Sequence, residues 1–407
     1  MINIDKYNQY MSEPVYLSAR EAAAELGVRP ATLYAYVSRG LIRSVPGPGK
    51  QRRYDAADIR QLQGQRAEAV PAGSIAGTDK PHSQPLTTSL TLIAEDGPWY
   101  RGHSAVELAG SFSLEAVANL LWECETDPFS RPAPRRLPDL PEGLGMMERL
   151  MVALAGWPLQ DRAAYTHSPA LLRDKGAALV RVACAALLGL PEPEALPVHI
   201  QLAKAWNVLP GPDAELLRAA LVLAADHEFN TSAFAVRCAA STRAPLHAAL
   251  ISGLGAFSGP RHGAHSDRVT AWLERIQGEE DVDRELGAML QRGEALPGFG
   301  HAIYAGRDPR ADCLLKLAAA GLGDQAFARL VPKLTEAGEA LYGLAPNIDF
   351  AFAVIQRQLG LPEEAGKVIF CAGRMVGWVA HALEQYRLPD QIRSRAAYIG
   401  ERPRRGK

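Results

Sequence analysis

Apolar positions along most of this chain recur at helical spacing. Val269, Trp272, Leu273 and Ile276 fall at i, i+3, i+4 and i+7, and Phe327, Leu330, Val331, Leu334 and Leu341 share one helical face. Strand-like alternation is scarce. The best hairpin candidate is Ser89 to Tyr100 (SLTLIAEDGPWY), with Asp96-Gly97-Pro98 as its turn. The periodicity fails between Ala67 and Ser89, where AEAVPAGSIAGTDKPHSQPLTTS is rich in small residues, Pro and Gly, so 67–88 is expected to be a linker. Ahead of it, SAREAAAELGV predicts a short helix opened by a Ser18 cap with Glu21 three residues on and closed near Gly27. RPATLYAYVSRG predicts a second helix, and a third is expected to start around Asp55 after a Gly/Pro turn. The pattern predicts a mainly α chain in two units, 14–66 and 89–407.

Charge sharpens this division. Residues 1–66 hold ten Lys/Arg against six Asp/Glu, whereas the whole chain of 407 residues carries a net charge of -1. The front is therefore a basic unit, and the chain as a whole predicts no strong electrostatic steering. With 47% hydrophobic and 22% charged residues, the composition is that of a globular protein with a large core. The five cysteines are scattered without a CxxC pair, which suits reduced thiols. No apolar run reaches the roughly 18 to 20 residues of a membrane span, and the start (MINIDKYNQYMSEP) lacks a basic-then-apolar leader pattern. A cytoplasmic location and no membrane partner are the expectations.

Over Tyr16 to Leu62 the front unit resembles the winged helix-turn-helix of MerR-like and excisionase-like proteins. The resemblance implies that the second helix enters the major groove of double-stranded DNA, with Arg29, Thr32, Tyr34, Tyr36 and Arg39 facing bases or backbone. Lys50, Arg52 and Arg53 would lie on the wing, against phosphate. The alternative is a module that has turned to protein interaction or dimer packing.

Downstream, polar groups interrupt apolar helices at a few points. Asp226-His227-Glu228 ends one helix, Gly259-Pro260-Arg261-His262-Gly263 follows another, and GFGHAIYAGRDPRA sets His301 after a Gly-Phe-Gly turn and Arg310 after Asp-Pro. The glycines there are expected to let backbone approach a ligand closely. Asp349 follows Pro346-Asn347, in what should be the first turn of a helix, where the helix dipole favours a carboxylate. A lone histidine in such a chain is more often a satisfied core residue than a catalyst. His262-x-x-His265 beside Asp267 suggests a metal site only superficially, because no matching ligand set accompanies it; no metal is expected.

In order and spacing, ADHE, GPRHG, GFGH with DPRA, PNID and GRMVGWVAHALEQ resemble citrate synthase, and the likeness runs from about Ser89 to the carboxyl end. It implies a mainly α, two-subdomain helical fold, with a small subdomain near 264–355 that closes over substrate, and a two-fold homodimer. It also implies condensation of acetyl-CoA with oxaloacetate to citrate and free CoA, the CoA thioester being substrate and no cofactor being needed. Asp349 would remove the methyl proton, His262 would stabilise the enol and His301 would polarise the oxaloacetate carbonyl. His227, Arg310, Arg374 and Arg393 would hold substrate, with Arg395 as the alternative to Arg393. Guanidinium groups suit this task because their planar forks hold carboxylates by paired hydrogen bonds.

The flanks depart from the family pattern. Ala302 and Ala305 replace basic residues, which leaves Arg307 and Arg261 as candidate CoA contacts, and Phe350-Ala351-Phe352-Ala353 replaces small polar residues after Asp349. A different acyl-CoA such as propionyl-CoA, or a different 2-oxo acid, is therefore an open alternative. The rival reading is a DNA-binding transcription regulator that uses a catalytically weakened domain of this type as a metabolite sensor.

Overall fold

The structure, a computed structural model, describes residues 16–26, 28, 30–47, 51–56, 58–59, 62, 86–134 and 136–394. Arg29, Lys50, Arg395 and most of the expected linker lie outside the described residues. Two compact units are present, Met1–Asp79 with Arg387–Asp390, and Lys80–Tyr386 with Gln391–Lys407.

In the first unit, β1 (Tyr16–Ser18), α1 (Ala19–Glu25), α2 (Pro30–Ser38), β2 (Ser44–Pro46) and β3 (Arg52–Asp55) follow in order. The strands form an antiparallel sheet in the order β1-β3-β2. The expected capping box is present: Ser18 N donates to Glu21 Oε2 (2.8 Å) and Glu21 N donates to Ser18 Oγ (3.3 Å). Ala22, Leu26, Leu33, Ile42, Tyr54 and Ile59 make a small core of their own. Asp58 N donates to Asp55 Oδ1 (3.3 Å), and the described residues after Asp55 are helical, as the sequence predicts.

The second unit opens with a meander of β4 (Thr91–Ala94), β5 (Gly97–Tyr100) and β6 (His103–Ser104). Its hairpin turn comes earlier than expected. Ala94 pairs with Gly97, so Glu95 and Asp96 form the turn while Gly97 and Pro98 belong to β5. Asp96 Oδ1 accepts from Trp99 Nε1 at 2.8 Å, and Gly97 sits at φ 119°, a region that favours glycine.

Helices then dominate. They are α3 (Ala105–Leu108), α4 (Leu114–Leu121), α5 (Met146–Gly156), α6 (Pro169–Leu188), α7 (Val198–Ala205), α8 (Pro212–Ala224), α9 (Thr231–Ser241) and α10 (Leu246–Phe257). After them come α11 (His265–Leu273), α12 (Glu279–Gln291), α13 (Pro309–Ala319), α14 (Gln325–Tyr342), α15 (Ile348–Gln358) and α16 (Ala365–Tyr386). Val269, Trp272, Leu273 and Ile276 are all buried, as their spacing predicts. On α14, Phe327, Leu330, Val331 and Leu334 are buried but Leu341 is 44% exposed. Gly338 is buried in its place, with the Phe299 ring packed where a side chain would stand.

The axis of the unit is α16, in which all but one residue is buried. A helix apolar on every side must be enclosed, and this one packs on α8, α9, α6, α4 and α15. It approaches the end of α8 closely at Gly377, whose N–H donates to Ala225 O at 3.0 Å. No helix among the described residues is long and apolar enough to cross a membrane.

Candidate functional site

The side chains singled out in sequence arrive from the ends of helices. Asp226 and His227 follow the end of α8, and the Tyr100 hydroxyl secures this break by accepting from Asp226 N (3.2 Å) and lying 3.1 Å from the carbonyls of Val222 and Asp226. His262 sits in the turn between α10 and α11. His301 follows the Gly-Phe-Gly turn, Arg310 opens α13, Asp349 opens α15, and Arg374 and His381 come from the middle of α16. The glycine turn packs against protein backbone. Gly298 and Gly300 hold φ of 79° and 76°, and they let the turn lie against the segment before α15. Asn347 N donates to Gly298 O, Gly300 N donates to Ala345 O and Asn347 Nδ2 donates to Gly300 O, each at 2.8 Å. Asn347 also caps α15, accepting from Asp349 N at 3.0 Å. One residue thus fixes His301 and Asp349 in a common frame.

Arg310 and Asp308 form a buried fork, with Nε to Oδ1 at 2.9 Å and Nη2 to Oδ2 at 2.8 Å. Burial pushes the Asp308 carboxyl up, but Arg310 outweighs it and holds the group below the usual carboxylate range. Asp308 Oδ2 accepts in addition from Ile348 N (3.1 Å), which ties the fork to α15. Arg374 differs. Its Nε donates to Ala224 O at 2.8 Å and its guanidinium lies 4.9 Å from the centre of the Phe370 ring, yet no ion pair among the described residues includes it. Burial brings its pKa down to about 10 despite the field of Asp226. A buried guanidinium without a carboxylate partner is costly to the fold and ready for an anion.

Three histidines share this field. His227 Nε2 lies 3.1 Å from the Tyr304 hydroxyl, and its ring meets that of His301 edge-on at 5.4 Å. Burial, with the fields of Arg310, Arg374, His301 and His262, drives its pKa well below the ordinary value, so His227 is neutral. His301 Nδ1 accepts the backbone N–H of Ile303 (3.1 Å) and of Tyr304 (3.3 Å). Since an N–H can only donate, the neutral ring carries its proton on Nε2, which lies 3.4 Å from Arg310 Nη2. Two donors thus converge with no acceptor between them. His262 is caged by Phe257 and Phe370, with ring centres 5.3 and 5.8 Å away, and its Nε2 lies 2.8 Å from Ser232 Oγ. Burial, and then Arg374, lowers it to about 4.

Asp349 is the one carboxyl here that burial leaves shifted upward. Part of its surface stays accessible, but protein surrounds it widely, and this desolvation outweighs the opposing pull of Ser266, His265 and Arg310. Ser266 Oγ donates to Asp349 Oδ1 at 2.6 Å. Behind the cluster, His381 Nε2 lies 3.1 Å from Asp226 Oδ1, and Thr91 Oγ1 donates to Asp226 Oδ2 at 2.5 Å, all three buried or nearly so.

The electrostatic reach of His227 and Asp349 therefore joins His227, His262, His301, Arg310, Arg374 and Asp349 in one cluster. The other sequence candidates lie differently. Arg307 is bound to Asp312 (Nη2–Oδ1, 2.8 Å) and to Glu339, Arg261 is exposed between α10 and α11, and Arg393 is exposed in the segment after α16. Asp267 is paired with Lys367 at 2.7 Å. The four residues after Asp349 are fully buried rather than lining an open face. Phe350 packs with Phe299 and Trp272, and Phe352 with Phe370. In the first unit, Tyr34, Arg39, Arg52 and Arg53 are exposed, Thr32 is half-buried and Tyr36 packs against the small core. Sequence reasoning did not single out Ser232, Ser266, Tyr304, Asp308 or Asn347. Only Asp308 and Asn347 left a signal, as cap residues ahead of Pro309 and Ile348.

The description "Citrate synthase, C-terminal domain" matches residues 83–396, and "Helix-turn-helix domain" matches residues 16–67. The chain is 38% identical over 193 residues to citrate synthase of Haloferax volcanii, covering 46% of this chain and 51% of that one. Identity is 28% over 354 residues to citrate synthase 2 of Bacillus subtilis, covering 77% and 93%. Against 2-methylcitrate synthase of Shewanella oneidensis it is 33% over 215 residues, covering 51% and 56%. The chain thus spans about half the length of the first curated relatives it matches. Among solved structures, a ternary complex of carboxymethyl coenzyme A and oxaloacetate with citrate synthase from Thermoplasma acidophilum superposes with a TM-score of 0.68 at 22% identity, covering 80% of this chain and 96% of that one. The enclosed helical fold and a family match over most of its length place this chain in the citrate synthase family, with a helix-turn-helix domain at its front.

Proposed function

We propose that the chain condenses acetyl-CoA, or a related short acyl-CoA such as propionyl-CoA, with oxaloacetate to give a tricarboxylic acid and free CoA. The observation that carries this reading is that one cluster around Arg310 and Arg374 gathers Asp349, hydrogen-bonded by Ser266 and shifted upward by burial, and His262, caged by Phe257 and Phe370 and lowered by burial to about 4. A methyl group beside a thioester is a weak carbon acid, so a base must work together with a donor aimed at the thioester oxygen. Asp349 takes the methyl proton. Ser232 Oγ lies 2.8 Å from His262 Nε2 and 2.7 Å from Asn230 Oδ1, so its one proton serves one of the two. In this reading it goes to His262 Nε2, the ring presents Nδ1–H, and the neutral imidazole donates to the enolate oxygen without itself becoming charged.

The enolate carbon then bonds to the oxaloacetate carbonyl carbon as the C=O π bond opens, and the oxygen takes the proton on His301 Nε2, which the ring recovers from solvent. Arg310, Arg374 and His227 hold the two carboxylates, and the convergent donors of His301 and Arg310 find their acceptor in the substrate. Water cleaves the thioester C–S bond and CoA leaves as the thiol. In the same reading, Arg393 or Arg395 reaches the site across a homodimer, Arg261 and Arg307 meet the CoA phosphates, and the protein works in the cytoplasm with its five cysteines as free thiols. Arg307 must then leave its bonds to Asp312 and Glu339.

The test is release of CoA thiol by the full chain from oxaloacetate with acetyl-CoA and, in parallel, propionyl-CoA. No thiol from either donor sinks the reading. Arg374→Met is expected to raise the KM for oxaloacetate by about 100-fold or more, since a buried charged partner contributes about 3 kcal/mol or more, while the KM for the acyl-CoA changes little. Removing this unpaired charge should leave thermal stability equal or higher; a large loss of stability would show that Arg374 serves the fold.

The helix-turn-helix match and the exposed Tyr34, Arg39, Arg52 and Arg53 favour a second reading, in which the front domain binds duplex DNA. Binding by the full chain should weaken linearly in log salt, and Arg52→Ala with Arg53→Ala should flatten the slope by about 2. No binding at low salt would retire this reading.

A further inference from the structure

The first turn of α11 carries a buried serine that bonds the carboxyl of Asp349. Ser266 is 2% exposed, four positions after His262, and its hydroxyl donates to Asp349 Oδ1 at 2.6 Å. The turn is fastened to α16 by Lys367, whose ammonium meets Asp267 Oδ2 at 2.7 Å and Glu364 Oε1 at 2.5 Å. Asn347 holds the Asp349 backbone, but only Ser266 bonds its carboxylate, and Oδ2 carries no hydrogen bond among the described residues. Resting on the condensation reading above, we propose that Ser266 is a positioning residue for the base, pinning Oδ1 so that Oδ2 is the oxygen that takes the substrate proton.

The physical basis is the geometry of a carboxylate on a free rotor. A proton in flight requires one oxygen held within about 3 Å of the carbon acid, and a carboxylate able to turn spends little time in that pose. One short bond to a buried hydroxyl removes that freedom. The same bond favours the charged form and so moderates the upward push of burial, together with His265 and Arg310. Asp308, which repels the charge, and Arg374, which attracts it, also face Asp349.

Ser266→Ala removes one oxygen and leaves His262, His301 and both arginines in place. Two readouts are taken on the full chain: the pH profile of kcat/KM for thiol release, and the ¹³C shift of the Asp349 carboxyl against pH, assigned by its loss in Asp349→Asn. The variant is expected to lose about tenfold to hundredfold in kcat at neutral pH, with the KM for oxaloacetate within about twofold of the parent. Its acid limb and its carboxyl midpoint should both move to higher pH. An active variant with both midpoints unmoved overturns the role of Ser266 and leaves the condensation standing. If the carboxyl midpoint moves in Ser266→Ala while the wild-type protein releases no thiol, the base role falls, and the condensation with it, while the hydrogen bond stands.

Discussion

Asp349→Asn is expected to lower kcat for thiol release by about 10³ to 10⁴ while leaving the protein as stable as the parent at neutral pH, or more so. The activity loss follows from the chemistry: an amide of the same shape can accept the Ser266 hydrogen bond but cannot take a proton from a methyl group. The stability gain follows from linkage. The folded protein raises the Asp349 pKa, so the ionised carboxylate is disfavoured by folding. This group's contribution is most favourable below the unfolded value and declines as pH rises through the folded one. Above the unfolded value the parent carries that cost, and Asn removes it. Thermal denaturation against pH checks the sign: the parent and the variant should converge in acid and separate toward neutrality. A variant much less stable than the parent at neutral pH would mean that Asp349 is a structural carboxylate.

Gly377→Ala is expected to destabilise the second unit by about 3 kcal/mol or more and to lower its thermal midpoint by about 6 °C or more. Two effects oppose each other. Helix propensity favours Ala over Gly in a helix interior by about 1 kcal/mol. Against this, a Cβ at 377 would stand 2.3 Å from Ala225 O, a backbone atom, and 2.6 Å from Asp226 Oδ1, in a buried carboxylate held by His381 and Thr91. Packing wins, because α16 would have to move off α8, and that movement breaks the bond from Gly377 N to Ala225 O. It would also disturb His381 and Asp226, so residual activity should fall with stability. A variant that melts with the parent would show that α8 and α16 can separate freely.

The sequence carried the local signals well. Ser18 and Glu21 formed the capping box their spacing predicts, and the apolar stripe of α11 faced the core. Leu341 misled because near the end of α14 the Phe299 ring packs over Gly338, a contact that periodicity cannot register. The hairpin turn misled because Gly-Pro reads as a turn in sequence while the strand register, with Ala94 opposite Gly97, assigns it to β5. Family motifs brought forward His262, His301 and Asp349, and the structure gathers them with His227 and both arginines. What stayed hidden was the support around them. Ser266 meets Asp349 across 83 positions and Ser232 meets His262 across 30, and serines of this kind look the same in sequence as any other. The close approach of the glycine turn to Asn347 was hidden for the same reason, since it depends on where α15 begins.

Product identification tests the central claim most directly. Full-length protein is mixed with oxaloacetate and acetyl-CoA labelled with ¹³C at the methyl carbon, and the label is followed by NMR as thiol appears. Label appearing in a methylene of citrate, and only when oxaloacetate is present, is the result expected here. Label recovered as free acetate, with thiol released whether or not oxaloacetate is added, would show hydrolysis in place of condensation and contradict the account.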